Sequence, residues 1–114
     1  MTKFTDLKVD DTFELQLLAS DFIDNFYSSN GDCALARAVK RTFNMDEFDK
    51  LSVGGVWKNT VDIELNEDRD IDFQMGSDFD SIIFRDIKAR INKERIEPTE
   101  IVYTIQMTVL KFMK

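Results

Sequence analysis

The sequence predicts an α+β fold: an antiparallel sheet of about four to five strands with two helices packed on it, in a single compact domain over residues 1–114. Three observations carry this expectation. Short runs of apolar residues alternate with polar ones, as strands with one buried face require. Two longer stretches repeat apolar residues at helical spacing behind polar starts. A hydrophobic content of 43%, with ten Phe, one Pro and four Gly, supplies one core and little linker.

The first element is open to two readings. Phe13, Leu15 and Leu17 alternate as in a strand, whereas Leu15, Leu18, Ala19, Phe22, Ile23 and Phe26 follow helical spacing, with Asp11 and Glu14 placed as a capping box. Periodicity over 13–26 leans toward the helix. Residues 25–31 are rich in Ser, Asn and Gly and read as a loop. Asp32 is an N-cap candidate for a helix over 33–43, which places Leu35, Ala38, Val39 and Phe43 on one face. Arg37, Lys40 and Arg41 then fall on its exposed side and near its C-terminal end, where the helix dipole favours cations.

Residues 51–57 read as a strand broken at Gly54-Gly55, a pair that suggests a bulge or bend. Val61, Ile63 and Leu65 alternate with Asp62 and Glu64, and Ile71, Phe73 and Met75 alternate with Asp70, Asp72 and Gln74. With Asn66-Glu67-Asp68-Arg69 between them, the two runs form a β-hairpin with one apolar and one acidic face. Ser77 and Asp80 resemble a capping box ahead of a helix over 78–93, whose buried stripe is Phe79, Ile82, Ile83, Ile87 and Ile91. Its acids lie early and its bases late, which complements the dipole. After Pro98, alternation from Ile101 to Val109 gives a final strand over 101–110.

Charge is the most informative feature. Residues 62–80 hold eight acids and one base, Arg69, while the rest of the chain holds 14 of each, so this stretch carries the whole net charge of −7. Asp78 and Asp80 have an ordinary place at a helix start. The remainder, Asp62, Glu64, Glu67, Asp68, Asp70 and Asp72, belongs to the hairpin and is the candidate partner-binding set. An even register puts Glu64 opposite Asp70 or Asp72, and like charges in that position cost a few tenths to ~1 kcal/mol. One explanation is a solvated face that maintains solubility and discourages edge pairing. A second is a surface that attracts a basic protein, mimicking nucleic-acid phosphates. A third is a Mg²⁺ or Ca²⁺ site with oxygen ligands from Asp62, Glu64, Asp70 and Asp72, although no EF-hand spacing is present.

Composition narrows the chemistry. The chain has no His, so a Ser-His-Asp triad, a Cys-His dyad and a Cys/His zinc site cannot be built. No catalytic residue, metal ligand or cofactor is assigned. Cys33 is the only cysteine, which fits a reducing compartment, and a cytoplasmic location is expected. No apolar run approaches the ~20 residues of a membrane span, and residues 1–6 lack the apolar core of a secretory signal. An acidic chain argues against direct contact with nucleic acid or anionic lipid. Cys33 reads as a small helix-start residue rather than a reactive thiol. The Arg37, Lys40 and Arg41 group reads as a solvated face rather than a phosphate contact. Trp57 reads as core packing or, alternatively, as an exposed anchor for a partner.

Asp21-Phe22-Ile23, the polar loop after it, and Cys33-Ala34-Leu35-Ala36-Arg37-Ala38-Val39-Lys40-Arg41 resemble a pattern in small phage-encoded proteins of uncharacterised function. Those proteins carry a strand, a polar loop and a Cys-Pro-x-Ala-x-Ala-Leu helix start; here Ala34 stands in place of the Pro. The resemblance spans roughly residues 13–43 and implies a strand over 13–18 and a phage or mobile-element origin. It implies no activity. The leading expectation is therefore a non-enzymatic interaction module with an acidic hairpin. The alternatives are a Mg- or Mn-dependent carboxylate enzyme acting on nucleic acid, and a structural component of a phage particle.

Overall fold

The computed structural model describes residues 3–23, 33–46, 50–66, 69–76, 79 and 82–113. Five strands, β1 (Thr12–Leu18), β2 (Leu51–Trp57), β3 (Thr60–Leu65), β4 (Arg69–Gln74) and β5 (Ile101–Phe112), form one antiparallel sheet in the order β1-β5-β4-β3-β2. Two helices accompany it, α1 (Ala34–Thr42) and α2 (Ile82–Glu94), with short 3-10 turns at Phe4–Asp6 and Ala19–Phe22. The architecture is α+β in one compact globule.

Alternation decides the two faces. Leu15 and Leu17 of β1, Val61 and Ile63 of β3, Ile71 and Phe73 of β4, and Ile105, Met107 and Val109 of β5 are all buried. The sheet curls around them, and α1 touches both of its edge strands, β1 and β2. Ala34, Leu35, Ala36, Ala38 and Val39 of α1 are buried, more than a one-sided helix would show, because a helix seated between two sheet edges is covered on several sides. Small Ala side chains let it fit there. Phe4, Phe13, Phe43 and Phe73 pack edge-on or tilted at centroid distances of 5.0–6.0 Å beneath β4. A second aromatic group, Phe22, Phe84 and Phe79, joins α2 to the Ala19–Phe22 turn.

Several sequence expectations change. Residues 12–18 are a strand, in line with the strand over 13–18 that the resemblance implies and against the helix toward which periodicity alone leans. Ladder pairing with β5 from Thr12↔Thr108 to Leu18↔Ile101 outweighs the local helical stripe, and Ala19 and Phe22 are buried from the turn that follows. Among the residues of the expected α2 stripe, Ile87 and Ile91 are buried but Ile82 is 54% exposed. Phe79 is not helical, and the described helix spans Ile82–Glu94. The expected caps at Asp32, Ser77 and Asp80 lie outside the described residues, as does Asp78.

Arg37 and Arg41 of the basic group on α1 bind other parts of the chain rather than forming a solvated face. Arg41 Nη1 and Nη2 donate to Asp21 Oδ1 and Oδ2 at 2.7 and 2.8 Å, and Nη2 also donates to the Gln16 carbonyl at 2.8 Å. Asp21 is only 2% exposed and accepts from the Leu18 amide at 2.9 Å as well. Hydrogen bonding to Asp21 pushes the Arg41 guanidinium further toward its charged form, against the opposing effect of burial. Arg37 Nη1 donates to the Ser20 and Ile23 carbonyls at 3.1 and 2.7 Å, closing the end of the 3-10 turn. Both arginines therefore fasten α1 to the end of β1. Among the described residues, no helix is long and apolar enough to cross a membrane.

Candidate partner-binding face

The β3–β4 register is Thr60↔Gln74, Val61↔Phe73, Asp62↔Asp72, Ile63↔Ile71, Glu64↔Asp70 and Leu65↔Arg69. The odd positions enter the core, so Asp62, Glu64, Asp70 and Asp72 share the outer face as two directly opposed acid pairs. Side chains so placed have Cβ atoms about 4.5–5.5 Å apart, close enough for repulsion to be felt. All four are half-buried rather than fully exposed, which weakens solvent screening. Glu67 and Asp68, the other two acids of the predicted set, lie outside the described residues.

Arg69 does not neutralise this face. It pairs with Leu65 on the opposite side of the hairpin, its Nη2 donates to the Leu7 carbonyl at 2.6 Å, and its guanidinium lies 4.7 Å from the Phe112 ring centroid. The cation that does share the face is Lys111, opposite Asp72 on β5. The strand expected over 101–110 stops one residue short of it. The strand runs to Phe112, and a register shift between Asp72 and Phe73 brings Lys111 beside Asp72.

On the other side of β3 the predicted bulge is present: the β2–β3 register shifts between Val53 and Val56, across Gly54-Gly55. A Cβ at Gly54 would lie 3.1 Å from Asp62 Oδ2 and 3.3 Å from both the Asp62 Cβ and carbonyl oxygen. The missing side chain is what lets Asp62 settle over β2. There its Oδ1 has no accessible surface and no hydrogen-bond donor, and the same holds for Asp70 Oδ1, on the diagonal position of β4. Burial first, then the neighbouring Asp70 carboxyl, then the charges of Asp70, Asp72 and Glu64 push the Asp62 carboxyl up to about 7.

Trp57 ends β2 opposite Thr60, which alternates onto the outer face with Asp62 and Glu64. Its side chain is 73% exposed, so the core-packing reading is overturned. The bulge and the turn through Lys58 (φ 55°) leave the indole at the rim of the sheet, beyond the reach of the core. The outer face thus combines two acid pairs with one large aromatic ring.

Cys33 is half-buried at the N-cap of α1 and packs against the core, in keeping with a structural role. Among the described residues, no three acidic or Cys side chains are grouped so as to hold a metal ion. A cavity of about 370 Å³ beside the end of α2 is lined by Arg90, Glu94, Arg95, Glu97, Glu100 and Val102 among others, and includes none of the hairpin acids. Comparison with protein families, with curated proteins and with solved structures finds no match.

Proposed function

We propose that this chain is a non-enzymatic protein-interaction module that presents the outer face of β3 and β4 to a basic partner, such as a nucleic-acid-binding protein. One observation carries the reading: Asp62, Glu64, Asp70 and Asp72 stand as two opposed like-charge pairs on a single face, and the hairpin's own Arg69 is turned away from them. Opposed carboxylates destabilise a sheet, and a row of Thr or Lys on either strand would relieve the cost. Retaining them is understandable if a cationic surface supplies the missing countercharge. Trp57 supports the same reading, since exposed Trp beside charged residues is characteristic of binding hot spots. A phage or mobile-element origin belongs to the proposal through the resemblance of the Cys33–Arg41 segment.

The test is retention of host proteins on the immobilised chain at low and high salt. A basic protein is expected to be held at low salt and released at high salt, because the attraction is screened. Reversing Asp62, Glu64, Asp70 and Asp72 to Lys abolishes retention, and Trp57→Ala weakens it roughly tenfold. Retention that survives the charge reversal refutes the reading.

A further inference from the structure

We propose that Asp62 and Asp70 hold one proton between them, and that this proton gates the charge of the outer face and its grip on a cationic partner. The gating of partner binding rests on the docking reading above; the shared proton does not.

The packing argument begins at the bulge. Gly54 leaves Asp62 room to lie against β2, with Oδ2 at 3.1 Å from where a Cβ would stand. Asp62 Oδ1 and, diagonally across on β4, Asp70 Oδ1 are both shut off from water, and neither has a hydrogen-bond partner. Two ionised carboxylates in that position would leave two desolvated oxygens facing like charge, a more costly arrangement than burial of either alone. A single proton removes both difficulties: one carboxyl becomes a donor and the other its acceptor, as in acid dyads that cannot ionise together.

The surroundings offer little relief. On its own strand Asp62 faces Glu64, and across the sheet on β4 it faces Asp70 and Asp72. β2 contains no titratable residue and contributes Ser52, opposite Glu64, and the bare Gly54. On β5 the cation is Lys111, one strand farther away and opposite Asp72. The rise of the Asp62 carboxyl to about 7 agrees with this environment and places the exchange near neutrality. Below that pH the face carries one negative charge fewer. A Lys or Arg brought against the pair favours the fully ionised form, so docking expels the proton to water, and raising the pH strengthens docking.

The experiment has two arms on the full chain. In the first, the side-chain carboxyl carbons are followed by NMR from pH 4 to 9. A step near pH 7 is expected at Asp62. In Asp70→Asn the step moves down by about one pH unit or more, because the amide donates to Asp62 and the neighbouring charge is gone. Asp72→Asn produces a smaller move in the same direction and serves if Asp70→Asn fails to fold. Titration of Asp62 wholly below pH 5, or a step indifferent to both substitutions, overturns the shared proton. In the second arm a decalysine peptide is titrated into the protein at pH 6 and pH 8 in buffers of different ionisation enthalpy. One added charge at close range predicts about two- to fivefold tighter binding at pH 8. Net proton release is expected at pH 6. Equal affinity at the two pH values with no proton release overturns the gate. If the peptide binds at neither pH while the NMR step is present, the docking reading falls, and the gate with it, but the shared proton stands.

Discussion

Replacing Asp62 with Asn makes the cost of the opposed acids measurable as stability. The Asp62 carboxyl is raised from 3.8 to about 7 in the folded chain, so the native state binds a proton more tightly than the unfolded state does. Stability from this group is fully present below about pH 4, falls as pH rises through the interval, and is lost above pH 7. Unscreened, a rise of that size corresponds to about 4 kcal/mol, but Asp62 is only half sheltered, and solvent screening reduces the expectation to about 1–2 kcal/mol. The Asn variant lacks this loss. At pH 8 it should be the more stable protein by that amount, while at pH 4.5 the advantage should vanish or reverse. Urea unfolding provides the assay: with a slope of about 1–3 kcal/mol per M, the midpoint should shift upward by roughly 0.5–1 M at pH 8. Because the quantity is a difference between two proteins, the titration of other groups largely cancels. A midpoint difference that is the same at pH 4.5 and pH 8 refutes the reasoning.

Two further substitutions probe what holds the face in place. Arg41→Ala leaves the buried Asp21 without its bidentate partner and frees the Gln16 carbonyl. Since Arg41 itself is 40% exposed and water can enter, a loss of about 2–3 kcal/mol is expected in chemical denaturation, whereas a change under 0.5 kcal/mol contradicts a fastening role. Gly54→Ala sets a methyl group 3.3 Å from the Asp62 carbonyl oxygen, which cannot swing aside as a side chain can. About 1–2 kcal/mol of destabilisation is expected, together with a fall in the Asp62 titration midpoint as its carboxyl is displaced into water; an unchanged midpoint means that Gly54 does not create the Asp62 niche.

The hairpin was legible in the sequence because its two faces differ in chemistry at every position. Ile63 and Ile71 go inward, Glu64 and Asp70 go outward, and a slip by one residue would bury the acids. The bulge was legible from Gly54-Gly55 for a similar reason, since few other residues leave such space. The strand over residues 12–18 was less legible: Leu15 and Leu17 satisfy an alternating pattern and a helical one, and what decides between them is β5, some ninety residues away. Arg37 and Arg41 looked like surface bases because composition shows their charge but not the carbonyls of Ser20 and Gln16 or the carboxylate of Asp21 that receive them. Trp57 and Lys111 depend on where strands stop. Their place on the outer face follows from the β2 bulge and from the two residues by which β5 outruns its expected end.

The strand order also bears on how the chain folds as it is made. β5 is synthesised after the other four strands, yet it lies inside the sheet, between β1 and β4. Until Ile101–Phe112 leaves the ribosome, β1 has no strand partner and the β2-β3-β4 meander has an open edge at Arg69–Gln74. Unpaired edges of that kind invite pairing between chains. Asp70 and Asp72 occupy alternate positions along this temporary edge. A second nascent chain approaching in the same register would set carboxylate against carboxylate. Like charge along that edge would disfavour such pairing until β5 arrives and sets Lys111 opposite Asp72.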